Sequence, residues 1–334
     1  MEKKLYMPTI LTYHQINPSQ WQNLIETSPT ATWFQTPEAY QFYQSVPDMQ
    51  PFAVAIQRTN GLAGVCVGYI TQTKCWLTQL MTCRAIIMGG PLIASDAIDE
   101  EVDTLLKAIH RTVPQSAIYI ETRNFNSYAQ WRPIFEQNNF VYQPHYDIHV
   151  KIDDAHRLSD RRLRELKKAY KNGVTIQEPL SEQQVIEWYH ILQQLYKNNV
   201  RTPLPSLDFF CQFYRIGVGK YLLVTHKGKI IGGMMCPILN DKAIYEWYIC
   251  GLDEEYRDLY PSVVATYASI EYAKTHNICL FDFMGAGVPG ESYGVRDFKA
   301  EFGGEIVEYG RFLCVRKPLL YWLGTMGVKM LKWL

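Results

Sequence analysis

Residues 280–304, LFDFMGAGVPGESYGVRDFKAEFGG, decide the fold, because they join a buried strand to a glycine-rich loop and a short charged segment. Residues 280–283 predict the strand. The glycines that follow allow positive φ and close approach of the backbone to a ligand. Lys299 comes after this loop, where an ammonium can stabilise negative charge, although a plain turn with a surface lysine is the alternative. The order GxxxxGK[ST] of a P-loop is absent.

Composition limits the classes of protein to consider. The 334 residues are long for one domain and comfortable for two. Lys and Arg total 33, as do Asp and Glu, so a polyanion site must be a local patch. The eight cysteines include no C-x-x-C pair, which argues against structural zinc and a disulfide framework. We expect a cytoplasmic protein, since the start lacks an apolar signal core and no apolar run predicts a transmembrane helix.

Two stretches of the chain follow one pattern. PFAVAIQRTNGLAGVCVGYI (51–70) and KYLLVTHKGKIIGGMMCPIL (220–239) both read as a strand, a glycine turn and a second strand with an early glycine. In each half another strand, a helix and a final strand follow. Segments 76–81 and 146–152 are further strand candidates, the latter closing the first half. We therefore predict an internal duplication, with an unrelated pair of domains as the alternative.

The predicted fold is α+β, with two tandem domains, each a mixed, mostly antiparallel sheet flanked by helices. The first domain covers residues 1–153 and the second 154–316. Residues 317–334 form a basic amphipathic C-terminal helix, which is too short and too charged to span a bilayer. It could contact the inner face of the membrane peripherally, while packing against the first domain is the alternative.

This order of elements resembles a GNAT acyltransferase domain, and two in tandem resemble the FemABX group, the aminoacyl-tRNA-dependent transferases that build peptidoglycan interpeptide bridges. ATWFQTPEAY (31–40) and MGGPLI (88–93) resemble the first domain of that group. SDRRLRELKKAYKNGVTIQE (159–178), YEWYICG (245–251) and FDFMGAG…FKAEFGG resemble the second. The resemblance runs over most of residues 30–315. The coiled-coil arm of some members is absent here.

The resemblance implies an N-acyltransferase for cell wall biogenesis. Charged tRNA would donate an aminoacyl group to an amine of a UDP- or lipid-linked muropeptide or similar glycoconjugate, with no metal or other cofactor. One alternative is an acyl-CoA-dependent GNAT N-acetyltransferase acting on an amino sugar or lipid amine. Segments 94–99 and 256–262 lack the glycine-rich pyrophosphate turn that this alternative needs. The other alternative is a non-catalytic module that binds polyanion or membrane.

The resemblance also implies roles for individual residues. Lys299 of the phenylalanine–lysine motif would face the phosphate or developing charge at the tRNA end. Arg201 matches an arginine that meets the precursor's diphosphate, with a helix-end arginine as the alternative. Tyr248 matches a tyrosine that faces the acceptor, with a half-buried strand aromatic as the alternative. The other predicted substrate-binding residues are Gly285, Gly287 and Phe298.

Two acids on core strands, Glu246 and Asp282, are candidate acceptors of the amine proton, because burial would raise their pKa values. Structural acids hydrogen-bonded to the backbone are the alternative. His145 and His149 flank a strand without carboxylate spacing and receive no role.

A basic helix that begins near Ser159 carries a positive stripe, which could meet tRNA phosphates. A solvated helix face is the alternative. The candidate polyanion contacts are Arg161, Arg162, Arg164, Lys167 and Lys168.

Overall fold

The computed structural model describes residues 8–73, 82–153, 155–200 and 203–333, with side chains inside the last helix described as far as residue 327. The predicted strand at 76–81 and the candidate Arg201 lie outside these residues. Contacts divide the chain into two units, Met1–Pro144 with Tyr309–Met326 and His145–Glu308 with Gly327–Leu334.

The first unit is built on a mixed sheet. Its strand order is β1-β2-β3-β4-β6-β16-β7, with β5 paired to β3. The strands are β1 (Thr9–Thr12), β2 (Met49–Arg58), β3 (Gly61–Thr71), β4 (Ala85–Gly89), β5 (Leu92–Ile93), β6 (Tyr119–Asn124), β7 (Val141–Gln143) and β16 (Arg311–Val315).

Helices cover the sheet of the first unit because each has an apolar stripe. Asn17 caps α1, its side chain accepting from two backbone N–H groups, as its position before a proline predicts. Val102, Leu105 and Ile109 of α3 are buried in a core with Val54 of the hairpin. The helices are α1 (Pro18–Thr27), α2 (Pro37–Ser45), α3 (Asp99–Thr112) and α4 (Arg132–Gln137).

The second unit has a sheet of order β15-β8-β14-β12-β11-β10-β9, with β13 paired to β11. Its strands are β8 (Tyr146–Lys151), β9 (Val174–Gln177), β10 (Gly219–His226), β11 (Lys229–Leu239), β12 (Ala243–Tyr245), β13 (Tyr248–Gly251), β14 (Leu280–Asp282) and β15 (Glu305–Glu308). Its helices are α5 (Asp160–Lys171), α6 (Glu182–Leu195), α7 (Leu207–Ile216), α8 (Pro261–Thr275) and α9 (Gly294–Ala300).

Both units repeat one order of elements. A hairpin, β2–β3 or β10–β11, precedes a strand, a crossover helix and a final strand. That final strand runs parallel to the strand before the helix, β6 beside β4 and β14 beside β12, whereas the other described pairs are antiparallel. Parallel neighbours need such a crossover. The predicted α+β class, with mixed and mostly antiparallel sheets, is therefore confirmed.

Close packing of the crossover helix on the hairpin requires glycine in each unit. A Cβ at Gly64 would lie 3.0 Å from Leu105 Cδ2 of α3. A Cβ at Gly232 would lie 3.1 Å from Pro261 Cβ of α8 and 2.8 Å from the carbonyl oxygen of Cys250. The early glycine that the two hairpin sequences share thus has the same packing role in both units.

The division of the chain differs from the predicted boundary at 153 and 154. Strand β8, expected to close the first domain, pairs with β14 and β15 of the second unit. Strand β16, expected in the second domain, pairs with β6 and β7 of the first. The alternation of apolar and polar residues shows which face of a strand is buried, but it does not identify the neighbouring strand. The prediction from sequence order alone therefore assigned both strands to the wrong unit.

The C-terminal helix α10 (Pro318–Trp333) corresponds to the predicted amphipathic segment. Tyr321 packs edge-on against Tyr119 of β6, with ring centroids 5.4 Å apart. The side chains of Leu319, Trp322 and Leu323 are exposed. Among the described helices, none combines the length and apolar character needed to cross a bilayer.

The packing at Gly232 predicts the effect of one methyl group. Gly232→Ala should lower the free energy of unfolding by about 1–3 kcal/mol, because the backbone carbonyl of Cys250 has to shift. Gly294→Ala in the same unit is the control: its Cβ meets open space, so stability should stay equal or rise by up to about 1 kcal/mol. Urea denaturation measures both, and equal stability of the two variants would contradict the packing argument.

Candidate active site

Lys299, in α9, is held inside the second unit. Its Nζ donates to the carbonyl oxygens of Phe283 and Gly285, each at 2.9 Å, and lies 2.9 Å from Glu246 Oε1. The side chain is 11% exposed. Lys299 is therefore a largely buried, ion-paired lysine, and the alternative of a solvated surface lysine does not apply.

The glycine loop presents its carbonyl groups to Lys299 because the backbone turns sharply after β14. Met284 has φ +56° and Gly285 φ +139°, a region that favours glycine. The turn is fixed by two carboxylates, since Asp282 Oδ1 accepts from the Met284 N–H at 2.6 Å and Asp147 Oδ1 from the Gly285 N–H at 2.7 Å. The predicted glycine loop thus binds the ammonium group of Lys299, a cation of the same chain.

Glu246 lies in the break between β12 and β13. Its backbone N–H donates to the Asp282 carbonyl at 2.9 Å, so the break keeps contact with β14. Burial raises the pKa of Glu246, and the charge of Lys299 opposes this only in part. Within the described part of the chain, Glu246 Oε2 accepts no hydrogen bond. This oxygen can receive a proton.

Asp147 and His149 of β8 complete the buried cluster, and the sequence analysis missed both. His149 Nε2 lies 3.3 Å from Asp282 Oδ2 and 3.9 Å from Asp147 Oδ2. Burial, followed by the neighbouring Asp282, raises the pKa of Asp147 well above its usual range. Because β8 pairs with β14 and places His149 opposite Asp282, carboxylates do surround this histidine, contrary to the spacing argument.

The same three side chains have the composition of a cation site. Ligand atoms of Asp147, His149 and Asp282 all lie within 4.8 Å of one another. A proton retained by the carboxyl groups of Asp147 and Asp282 would reduce their negative charge as a bound cation would, without a metal. The expectation that no metal is needed stays a prediction.

Arg296 braces the rest of the loop, another role that the sequence analysis missed. Its Nε donates to the Ala286 carbonyl at 2.7 Å and its guanidinium to the Val288 carbonyl at 2.8 Å. The guanidinium also lies over the Tyr146 ring, 5.0 Å from the centroid. Gly287, with φ +83°, belongs to this braced segment. The signal available in the sequence was the three-residue spacing of Arg296 and Lys299, which places both side chains on one side of α9.

Two predicted substrate-binding aromatics pack within the unit. Tyr248 contacts Phe210, with ring centroids 5.0 Å apart, in an aromatic group with Phe209 and Trp247. Phe298 lies under the Arg162 guanidinium, 4.3 Å from its ring centroid. The described contacts therefore place neither ring in the Lys299 cluster, and their binding roles stay predictions.

The basic helix α5 is less available to a polyanion than its sequence indicates. Arg162 is buried and pairs with Glu165 at 2.5 Å and Glu301 at 3.3 Å, so it cannot be part of an exposed stripe. Arg161 pairs with the same two carboxylates and Lys168 with Asp258. The exposed candidates for which the structure gives no ion pair are Arg164 and Lys167.

Several residues of this site fall in the segment that matches a family model. The model of the FemAB family matches residues 234–328, which include Glu246, Asp282 and Lys299. The chain is FemABX-like. No curated protein sequence matches it.

Comparison with solved structures shows how much of the chain has the FemABX-like fold. A crystal structure of FemX superposes with a TM-score of 0.71 at 13% identity, over 94% of this chain and 99% of that one. L-PGS from Bacillus licheniformis gives 0.59 at 12% identity, over 94% and 97%. A tandem GNAT protein from the clavulanic acid biosynthesis pathway gives 0.57 at 10% identity, over 93% and 99%. These likenesses confirm the predicted tandem GNAT-like fold.

The raised pKa of Asp147 predicts a pH dependence of stability. The folded state binds this proton more tightly than the unfolded chain, so the contribution of Asp147 is lost as pH rises from about 4 through the folded pKa. Asp147→Asn removes this loss. Its stability relative to wild type should rise between pH 4 and 8, by at most about 1.4 kcal/mol per pH unit. Urea denaturation across that range measures the difference, and a constant difference would contradict the assignment.

Proposed function

We propose that this FemABX-like chain is an N-acyltransferase that moves an aminoacyl group from charged tRNA to an amine of a peptidoglycan precursor or similar glycoconjugate. The observation that carries the proposal is the buried pair of Lys299 and Glu246 at the head of the glycine loop, inside the segment that matches the FemAB family. The likeness to FemX and L-PGS supports an acyltransferase role.

The buried pair suits attack of an amine on an activated ester. The amine nitrogen bonds to the acyl carbon, the bond to the ribose oxygen of the tRNA breaks, and the amine proton passes to that oxygen. Glu246 would carry this proton, which its raised pKa supports, as does its Oε2, which accepts no hydrogen bond from the described residues. Once Glu246 is neutral, the charge of Lys299 is no longer balanced by it and can stabilise the oxyanion.

The starts of the two crossover helices support tRNA rather than coenzyme A as the donor. In α8, Pro261 has no N–H to offer, and the N–H of Ser262 already donates to Asp253 at 3.1 Å. In α3, three acids occupy the first turn, and they would repel a pyrophosphate. A helix start that holds pyrophosphate needs available N–H groups and no nearby negative charge.

The proposal also names the acceptor and the cellular location of the reaction, which go beyond what the fold shows. A UDP- or lipid-linked muropeptide is the acceptor that the resemblance implies, and the reaction would take place in the cytoplasm, at the inner face of the membrane for a lipid-linked acceptor. The exposed apolar side chains of α10 support peripheral contact there.

Mass spectrometry of the acceptor tests the reaction. Purified protein is incubated with a UDP-linked muropeptide and a pool of charged tRNA, and separately with acetyl-CoA. We expect a mass gain of one or more amino-acid residues, reduced at least about 100-fold in Lys299→Met because the buried charge is removed. Lys151→Met, an exposed lysine of the same unit, is the control and should keep wild-type turnover.

Three other outcomes of this experiment would change the proposal. A gain of acetyl alone would replace the tRNA donor by coenzyme A. Equal turnover in the folded Lys299→Met variant and wild type would remove Lys299 from the chemistry. No gain with either donor would exclude the muropeptide as the acceptor.

Vesicle sedimentation tests the membrane contact. Wild type should sediment with vesicles that contain phosphatidylglycerol. Leu319→Glu combined with Trp322→Glu should weaken this at least about tenfold, because two exposed apolar groups of α10 become charged. Val141→Glu, which alters an equally exposed apolar residue of the first unit, should sediment like wild type. Sedimentation of the double variant at the wild-type level would exclude α10 as the contact.

A further inference from the structure

Three arginines gather on one face of the first unit's sheet, away from the site described above. Arg311 of β16 lies opposite Arg123 of β6 in register. Glu121 shares the face of Arg123, because it is two residues away on the same strand. Arg84 precedes β4 by one residue, and its guanidinium lies 3.5 Å from the Tyr119 hydroxyl, which belongs to the same face.

One carboxylate serves two of these guanidiniums. Glu121 Oε2 accepts from Arg123 Nε at 3.0 Å, and Glu121 Oε1 accepts from Arg311 at 3.2 Å. Arg84 Nε is buried and has no hydrogen-bond partner within the described residues. Among the described side chains of this face, three guanidiniums lie beside one carboxylate, which gives this group a formal charge of +2.

The excess charge is partly removed from water. The exposed fraction is 11% for the Glu121 side chain, 29% for Arg311 and 36% for Arg123. Burial lowers the pKa of Arg311, and repulsion by Arg123 adds to that shift. Burial raises the pKa of Tyr69, and the charges of Arg123 and Arg84 both oppose this shift. Burial and the repulsion by Arg123 thus disfavour the charge of Arg311, and a further anion would relieve this repulsion.

We propose that Arg84, Arg123 and Arg311 form a binding site for a phosphate or diphosphate group. Guanidinium forks match phosphate oxygens, and a doubly charged anion would balance the excess of two positive charges. The partly exposed Arg123 provides access from solvent. The group could be carried by a soluble molecule or by a lipid. This inference does not rest on the acyltransferase proposal.

Calorimetric titration of the full chain with inorganic pyrophosphate tests the site. Wild type should bind saturably, and Arg84→Gln should bind about tenfold more weakly. Glu121→Gln should bind about tenfold more tightly, because it removes a competing carboxylate, whereas a purely structural ion pair would give no gain. Arg132→Gln, which removes an exposed ion-paired arginine of the same unit, is the control and should match wild type.

Several results would overturn the proposal: no saturable binding by wild type, equal affinities of wild type and Arg84→Gln, or equal losses in Arg84→Gln and Arg132→Gln. Circular dichroism checks the fold of each variant. Should Arg84→Gln not fold, Arg84→Lys takes its place, and weaker binding of wild type at higher salt provides an independent measurement.

Vesicles distinguish the two sources of the phosphate. Phosphatidylcholine vesicles with and without phosphatidylglycerol are sedimented with wild type and Arg84→Gln. A loss of phosphatidylglycerol-dependent binding in Arg84→Gln would assign the site to a lipid-borne phosphate. Loss of pyrophosphate binding alone would assign it to a soluble one.

Discussion

The ammonium of Lys299 holds the loop of the second unit in place. Two carbonyl oxygens and one carboxylate surround it, so this charge, together with the carboxyl groups of Asp282 and Asp147, sets the path of the chain after β14. Loss of one partner from a buried ion pair costs about 3–5 kcal/mol, because the other charge stays buried. Burial, followed by the neighbouring Asp282, raises the pKa of Asp147, and the charge of Lys299 opposes this shift only in part.

The two units place their polar clusters at the same point of the repeated topology. Asp282 lies on β14 and Glu121 on β6, each on the strand that follows a crossover helix and runs parallel to its neighbour. The signs of the clusters are opposite. Acids are in excess around Lys299, whereas arginines are in excess around Glu121. The repeated topology thus carries two polar clusters with opposite excess charge.

Much of the fold follows from local sequence signals. The hairpin turns, the glycines on which the crossover helices pack and the Asn17 cap are properties of neighbouring residues, so they could be predicted. The loop and its lysine were identified in the same way. The residues around Asp282 were not all predictable, since Asp147 and His149 come from a strand about 130 residues earlier in the chain. The burial of Arg162 depends on Phe298 and Glu301, which are equally remote.

Strand β16 lies between β6 and β7, although its residues are synthesised after strands β8 to β15 of the second unit. Until residue 315 has left the ribosome, β6 has an open edge and β7 has no neighbour in the sheet. The first unit therefore cannot complete its sheet while the second is being synthesised, in contrast to the usual order in which an N-terminal domain folds first. The nascent protein has to keep that edge from pairing with other chains throughout the synthesis of residues 145–308.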